Sequence, residues 1–221
     1  AFSLYTEPEA MNHYDRTVAL ASKHPWPETE MTDDLLVVYT NRGRALELAL
    51  DFEGAVANYQ EMVRLGEQTG DPRFCLTGWL AEATLRATFT PVRNPEEASR
   101  LAQHALHLAR EQDLTLFEAR ALWNLMLVDS FGGSAEVALV YGEEALALCN
   151  AYENDQAIGP EIRQLKAVLL NDLYRPYLFS GQIRRALELN EEAQALLRAQ
   201  GNLPMLAAAL IHIAVGYFEL G

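Results

Sequence analysis

The chain has 221 residues, of which 50% are hydrophobic and 22% charged, a composition typical of folded globular proteins that excludes an intrinsically disordered one. Its formal charge is −14, and the stretch between Arg120 and Arg163 has no Lys or Arg, so this segment is not expected to contact nucleic acid. The longest apolar stretches, such as residues 205–215, are too short to cross a membrane, and no secretory signal pattern begins the chain.

Cys75 and Cys149 are the only cysteines, and each lies among apolar residues on a predicted helix. This placement favours two buried, reduced thiols over a disulfide or a metal-binding pair. Reduced thiols are typical of a reducing compartment, so we expect a cytoplasmic protein.

The first predicted helix covers residues 7–23, within a half-repeat at 7–24. Thr6 and Glu9 form a capping box at its start, with an oxygen acceptor at the N-cap and a Glu three residues later. Ala10 and Tyr14 match the second helix of the units described below, so this segment is interpreted as a half-repeat.

The first full unit covers residues 33–70, with a first helix at 33–50 and a second helix starting at Phe52. Gly43, Ala55 and Tyr59 are its characteristic residues. The second unit, at 72–112, has a first helix at 73–89 and a longer connection through residues 90–95. Its second helix is predicted to begin at Pro95, after a capping box formed by Asn94 and Glu97.

The third and fourth units are predicted at 114–151 and 160–200, with first helices at 114–131 and 162–180. Gly132, Gly133 and Gly181 lie where one helix must end and the next must begin. A last helix, at 203–220, has no predicted partner and forms a second half-repeat at 203–221. Its face is expected to be uncovered, and we expect the whole to be a fragment of a longer protein; the residues of that face are Ala207, Leu210, Ile213, Ala214 and Tyr217.

One local pattern recurs in the second helix of every full unit. An alanine returns at Ala55, Ala98, Ala138 and Ala186, at spacings of about 40 to 48 residues, which is the period of a helical repeat array. Small residues recur four and seven positions after the alanine in units two to four, while unit one has Tyr59 and Met62 there, and an apolar residue follows after ten in every unit. These steps place them on one stripe of the helix, where small side chains let two helices approach closely.

This pattern resembles the tetratricopeptide repeat. The resemblance covers nearly the whole chain and implies an all-α fold, a single right-handed α-solenoid domain of antiparallel helix pairs with about ten helices. Met126 and Tyr174 replace the usual glycine of the first helix in units three and four, and the period exceeds the usual one. Long, degenerate units of this kind look like the sensor regions of large bacterial signal-transduction ATPases, including the maltose-regulator-like transcription activators.

In stacked helix pairs the first helices line the concave side. The alanine register therefore predicts a ligand-binding groove lined by Thr40, Arg44 and Glu47 in unit one, by Arg120, Trp123 and Leu127 in unit three, and by Asn171, Arg175 and Leu178 in unit four. Arginines there could bind a carboxylate or phosphate and Trp123 could form an apolar wall. The alternative is that Arg44 and Arg175 pair internally with Glu47, Asp129 or Asp172.

Two further arrangements have structural alternatives. His104, His107 and Glu111 share one side of a helix and could hold a metal, although exposed histidines on a helix surface are the commoner interpretation, and no metal or cofactor is expected. Asp129 needs a partner if buried, for which Arg120 or Arg175 is the structural candidate and ligand orientation the alternative. His24 and Trp26 are interpreted as single surface or loop residues.

The sequence has no nucleotide-binding loop, nucleophile elbow or zinc-protease motif, so no enzyme activity is expected. The favoured hypothesis is a protein- or peptide-binding scaffold or sensor within a bacterial regulatory protein that controls transcription. The alternatives are a small-molecule effector sensor in the same array, and self-association through open repeat ends to form a homo-oligomer. No membrane contact is expected.

Overall fold

The computed structural model describes residues 8–21 and 29–220, and every regular element within these ranges is an α-helix. In chain order the helices are α1 (Pro8–Ala21), α2 (Thr29–Leu48), α3 (Phe52–Thr69), α4 (Pro72–Ala87), α5 (Pro95–Glu111), α6 (Thr115–Gly132), α7 (Ala135–Tyr152), α8 (Gly159–Asp172), α9 (Tyr174–Phe179), α10 (Ile183–Ala199) and α11 (Leu203–Leu220). The all-α prediction is confirmed for these residues. Thr6, the predicted N-cap of the first capping box, lies outside them, together with His24 and Trp26.

The chain divides into two compact units, Ala1–Leu108 and Ala109–Gly221. In the first unit α3 packs against α2 and α4, and in the second α6 packs against α7 while α10 packs against α8 and α11. Helices α2, α3 and α4 of the first unit are thus neighbours both in sequence and in space, as are α6 and α7 and also α10 and α11 of the second. None of the described helices is long and apolar enough to cross a membrane.

The recurring alanines are packing residues. Ala55, Ala98, Ala138 and Ala186 have no exposed surface, and the residues four and seven positions after them are buried as well. A larger side chain at any of these positions would have to displace a neighbouring helix. The stripe predicted from the sequence is therefore confirmed as the buried side of the second helices.

Close helix contacts also depend on two glycines, one on a first helix (Gly43 on α2) and one on a second helix (Gly142 on α7). A Cβ atom added at Gly43 would lie 2.5 Å from Cζ of Tyr59, and one added at Gly142 would lie 2.5 Å from Cδ2 of Leu173. Both separations are shorter than carbon atoms tolerate without a shift of the neighbour. Glycine at these positions lets α2 meet α3 and α7 meet the segment between α8 and α9.

The helix starts follow the sequence signals with one difference. Asp71 caps α4 by accepting from the backbone N–H of Arg73 at 2.9 Å, and Asn94 accepts from that of Glu97 at 3.2 Å. The reciprocal half of the predicted capping box is wrong, because the Glu97 carboxylate pairs with Arg100 at 2.5 Å instead. Backbone N–H of Asn94 is satisfied by the carbonyl of Arg86.

Pro176 explains an interruption between α8 and α9. The sequence predicts one helix over 162–180, whereas α8 ends at Asp172 and α9 begins at Tyr174. Proline has no N–H, and its ring clashes with the carbonyl four residues earlier, which here belongs to Asp172. The helical bonding resumes at once, since the carbonyl of Leu173 accepts from the N–H of Tyr177 at 3.2 Å. The prediction of a continuous helix is wrong at this kink.

Two buried asparagines join second helices to first helices. The amide of Asn58 donates to the carbonyl of Tyr39 at 2.9 Å, and that of Asn190 donates to the carbonyl of Asn171 at 3.3 Å. Each pair is separated by 19 residues in the sequence, so the same contact occurs in both units. These hydrogen bonds offset the cost of burying the two amide N–H₂ groups, while the Oδ1 atom of Asn190 is buried without a partner in the described part of the structure.

The two cysteines are free and buried, as the sequence predicts.

Helix α11 has one apolar side that is exposed to water. Phe218 is 84% exposed and Ile211 is 63% exposed, and the rest of this side consists of Leu203, Ala207, Leu210, Ala214, Val215 and Tyr217. The prediction of an uncovered apolar face on this helix is confirmed, except that Ile213 is half-buried.

Candidate ligand-binding site

The predicted groove residues of the first unit are bonded to one another or to their own helix. The Thr40 hydroxyl donates to the carbonyl of Leu36 at 2.7 Å, and Arg44 pairs with Glu47 at 3.1 Å. Glu47 also accepts from the Tyr59 hydroxyl at 2.5 Å. Burial and the neighbouring Glu47 carboxylate raise the pKa of Tyr59, so the hydroxyl stays protonated and donates. These charges are therefore already balanced within the unit.

In the second unit, α6 and the α8–α9 segment carry four charged and aromatic side chains that are half-buried. Arg120 and Trp123 lie three residues apart on α6, and therefore on the same side of that helix. Asp172 is the last residue of α8, and Arg175 lies just beyond the kink in α9. We refer to Arg120, Trp123, Asp172 and Arg175 as the kink site.

Asp172 is bound by neutral donors only. Its carboxylate accepts from the indole N–H of Trp123 at 2.9 Å and from the Asn171 amide at 3.1 Å. Burial raises the pKa of this carboxyl from 3.8 to about 6, and the two hydrogen bonds oppose the rise without cancelling it. At neutral pH the site thus contains a carboxylate with no cation beside it.

Arg175 is fixed in position by three groups. Its Nε donates at 2.8 Å to the carbonyl of Ser130, in the last turn of α6, where helix carbonyls lack partners within the helix. The guanidinium lies 4.9 Å from the ring centre of Phe131 and 4.8 Å from that of Phe179. Both contacts are within cation–π range. Because only Nε is hydrogen-bonded, the four N–H groups of the terminal nitrogens remain available to a ligand.

Arg120 has less support than Arg175. Its guanidinium lies 5.9 Å from the ring centre of Phe117, and the structure gives it no carboxylate within 4 Å. Burial lowers the pKa of Arg120, and the more distant charge of Glu161 opposes this effect. Arg120 still carries its charge at neutral pH, because an arginine pKa starts far above that range.

Two unmatched guanidinium groups stand out in a chain this acidic. Among the described arginines, Arg120 and Arg175 are the ones that are half-buried and have no carboxylate within 4 Å. The other half-buried arginines are paired with carboxylates, namely Arg42, Arg73 and Arg86. A buried cation without a counter-ion is costly, so this placement points to an anion supplied from outside the chain.

The remaining predicted residues lie around the site. Asn171 is 2% exposed and supports Asp172 through its amide, while Leu127 is buried in the core and Leu178 is half-buried. Asp129 has neither of the expected arginine partners: Arg175 is bonded to Ser130, Arg120 has no carboxylate within 4 Å, and the Asp129 carboxylate accepts from the backbone N–H of Ser134. Burial raises the pKa of Asp129.

Tyr174 and His212 border Arg175 from α9 and α11. Their rings stack with centres 4.6 Å apart and planes 4° from parallel. Burial and the charge of Arg175 both lower the pKa of His212, so the imidazole is neutral at pH 7. A neutral imidazole adds no competing charge beside the arginine.

The histidines proposed as metal ligands make other contacts. His104 lies edge-on to Trp79 with ring centres 5.9 Å apart, and its Nδ1 is 3.4 Å from Nη1 of Arg100. Within the described ranges there is no group of three His, Cys, Asp or Glu side chains that could hold a metal ion.

Sequence analysis found three members of the kink site and missed the role of Asp172, which it treated only as a partner for an arginine. The proline four residues after Asp172 is the signal that could have drawn attention to it. Phe131 and Phe179 were also missed, because neither falls on the groove register. Both rings lie against the Arg175 guanidinium, a contact that the register does not predict.

Comparison with known proteins adds no identification. No protein-family model matches the chain. No curated protein matches it significantly.

Proposed function

We propose that the chain is a non-catalytic binding module, built as a tetratricopeptide-like right-handed α-solenoid, that recognises an anionic group of its ligand through the kink site. Arg175 is the principal contact, and Trp123 and Arg120 extend the surface along α6. The ligand is a peptide segment of a partner protein or a small effector molecule. The parent is a cytoplasmic bacterial regulator of transcription, in keeping with the repeat length.

The observation that carries this proposal is the environment of Arg175. One N–H is bonded to Ser130, and the ring centres of Phe131 and Phe179 lie 4.9 and 4.8 Å from the guanidinium, so the N–H groups of its terminal nitrogens form the free edge. An edge of this kind forms paired, charge-assisted hydrogen bonds with a carboxylate or phosphate. Holding the side chain in place beforehand removes part of the entropy cost of binding.

Binding is favoured over catalysis by the bonding of Asp172. A catalytic carboxyl requires a reacting group or a nucleophile within hydrogen-bond reach. Asp172 is instead bonded to an indole and an amide, neither of which acts as an acid or a base near neutral pH. Its arrangement suits the orientation of a ligand.

The test is a screen of a randomised octapeptide library with free carboxyl termini, followed by fluorescence titration of the selected peptides. We expect Arg175→Ala to weaken binding by about tenfold or more, because a hydrogen bond to a charged group contributes about 1.5–3 kcal/mol. Arg198→Ala is the matched control, since Arg198 is exposed and its substitution removes the same charge. Equal affinity of the wild type and Arg175→Ala would refute the assignment.

Regulation by such a module requires that the ligand distinguish two conformations. The bond from Arg175 to Ser130 joins α9 to the end of α6, so a ligand that competes for the guanidinium changes how these helices are tied. The change in population depends only on the difference in affinity between the two states.

Self-association through α11 is a second candidate, favoured by its exposed apolar side. Two copies could bury this side against each other, and Glu219 is the only formally charged residue on the helix. Light scattering over a wide concentration range tests it. A dimer that Phe218→Asp converts to a monomer supports self-association, and a monomer at the highest concentration refutes it.

A further inference from the structure

The exposed side of α11 follows a seven-residue repeat. Ala207 and Ala214 form its centre line, seven positions apart. Larger side chains flank this line in two rows of the same period, one made of Leu203, Leu210 and Tyr217 and the other of Pro204, Ile211 and Phe218. All eight residues are exposed. An apolar repeat of seven residues is the pattern along which one helix packs against another in a left-handed pair.

This side of α11 carries no charge, which distinguishes it from the other first helices. Glu219 is the single charged residue of α11 and lies off the repeat, whereas α2, α4, α6 and α8 each have three or more charged residues. In a chain with a formal charge of −14, an uncharged surface is where two copies meet with the least repulsion. The composition of α11 therefore favours a second copy as the occupant.

The repeat is also symmetric about its own midpoint. Three pairs of residues are equally spaced about the point between residues 210 and 211: Leu210 with Ile211, Ala207 with Ala214, and Leu203 with Phe218. A copy turned end for end therefore places alanine opposite alanine and large side chains opposite large ones. A two-fold interface requires a patch of this kind, because the same residues serve both copies. Small side chains on the centre line let the two helices approach closely.

The antiparallel alignment also suits the charge of Glu219. This residue lies in the last turn of α11, at the negative end of the helix dipole. In an antiparallel pair, that end lies beside the first turn of α11 in the other copy, where the positive end of the dipole attracts a carboxylate. A parallel pair would instead bring the two Glu219 side chains to the same end. The charge of α11 is thus complementary to a second copy in one orientation.

The exposed apolar area suits a weak dimer. Six large side chains of this helix are 41–84% exposed, namely Leu203, Leu210, Ile211, Val215, Tyr217 and Phe218. Covering them would remove roughly 600 Å² of apolar surface from each copy, taking about 200 Å² for a whole aromatic side chain and about 150 Å² for an aliphatic one. Standard interfaces bury about 800 Å² per partner, so this one lies at the weak end. We expect a dissociation constant of about 10–100 μM, with the monomer dominant at lower concentrations.

We infer that a second copy of this chain covers α11, and that the two α11 helices pack antiparallel about a two-fold axis between Leu210 and Ile211. Ala207 of each copy then lies opposite Ala214 of the other. The inference rests on the self-association candidate of the proposed function and specifies its interface. It does not involve the kink site.

The first experiment is sedimentation equilibrium of the intact chain from about 1 μM to about 1 mM. We expect a monomer–dimer equilibrium that Ala214→Glu weakens at least about tenfold, because a carboxylate would be buried on the centre line. Ala57→Glu is the matched control, since Ala57 is exposed on α3, and it should dimerise as the wild type does. Circular dichroism establishes that each variant is folded.

Disulfide cross-linking tests the orientation. An equimolar mixture of Ala207→Cys and Ala214→Cys, treated with a mild oxidant, should give a covalent dimer, because opposed residues in a close helix pair come within disulfide range. Each variant alone should give much less, since the two copies of position 207 lie about 10 Å apart along the helix axis. The wild type, whose two cysteines are buried, is the control.

The outcomes separate this inference from the proposed function. A chain that is monomeric at the highest concentration, or a dimer that Ala214→Glu does not weaken, would overturn the inference and leave α11 to another occupant. A dimer that Ala214→Glu weakens, but in which each cysteine variant cross-links alone, would support self-association and refute the antiparallel alignment. Binding at the kink site has its own test, the dependence of peptide affinity on Arg175.

Discussion

Replacing Asp172 by Asn should stabilise the protein at neutral pH. Burial raises the pKa of this carboxyl from 3.8 to about 6, so the folded state resists an ionisation that the unfolded chain undergoes freely. A difference of about two pKa units corresponds to about 3 kcal/mol. Asp172 keeps some contact with solvent, which reduces the effect, so we expect a gain of about 1 to 3 kcal/mol.

The sign of the pH dependence follows from which state binds more protons. Between the unfolded pKa of 3.8 and the folded pKa of about 6, the folded state holds the extra proton. The destabilisation by Asp172 is therefore absent below pH 3.8, grows as the pH rises, and is complete above about pH 6. The Asn side chain cannot ionise and keeps an oxygen acceptor for the Trp123 indole.

The assay is urea unfolding of the wild type and Asp172→Asn at a series of pH values, followed by circular dichroism and by tryptophan fluorescence. The free energy of unfolding of the variant minus that of the wild type should be near zero at the acid end and level off above neutral pH. Asp34→Asn controls for the loss of an exposed charge.

A difference between the two proteins that is independent of pH would refute this reasoning, since it would mean that Asp172 ionises equally easily in both states. A variant less stable than the wild type at pH 8 would also refute it. In that case the hydrogen bonds from Trp123 and Asn171 would outweigh the burial of the charge.

Three further predictions concern packing and reactivity. Gly43→Ala should lower the free energy of unfolding by about 1–3 kcal/mol, because the new Cβ would collide with the Tyr59 ring; a loss under 0.5 kcal/mol in urea melts would contradict this. Ala186→Leu should lower the melting temperature, whereas Ala207→Leu, at an exposed position on α11, should leave it nearly unchanged; equal melting temperatures would argue against the packing role. Burial raises the pKa of Cys149 to about 12, so an aromatic disulfide reagent should modify it at least about tenfold more slowly in the folded protein than in urea, and equal rates would show that the thiol is accessible.

The helices were predictable because their signals are local. The alanine register, the prolines at helix starts and the glycines between helices all act within one or two turns, and they locate most helix bounds to within a few residues. The same register identified the buried stripe, since burial of a small residue is repeated in every unit. Local patterns of this kind need no knowledge of the surroundings.

The site was less predictable because it depends on contacts distant in sequence. Trp123 meets Asp172 across 49 residues, and Arg175 meets Ser130 across 45. The register indicates which side of a helix these residues occupy, but it does not indicate which partner each finds. We expected a carboxylate partner for Arg175, but its partners are a carbonyl at a helix end and two aromatic rings. Because none of these neutralises its charge, Arg175 is a candidate ligand contact and not part of a structural ion pair.

The buried asparagines Asn58 and Asn190 have a consequence for how the helix pairs choose their alignment. Stripes of alanine and glycine are smooth, so two helices that meet along them could slide by one turn and lose little apolar contact. An amide that must find one particular carbonyl, as Asn190 finds that of Asn171, penalises every shifted alignment, because the buried group would then be left unbonded. The asparagines therefore add little to the total stability, but they favour one alignment of each helix pair along the helix axes. This alignment determines which side chains of the first helix lie opposite which residues of its neighbours.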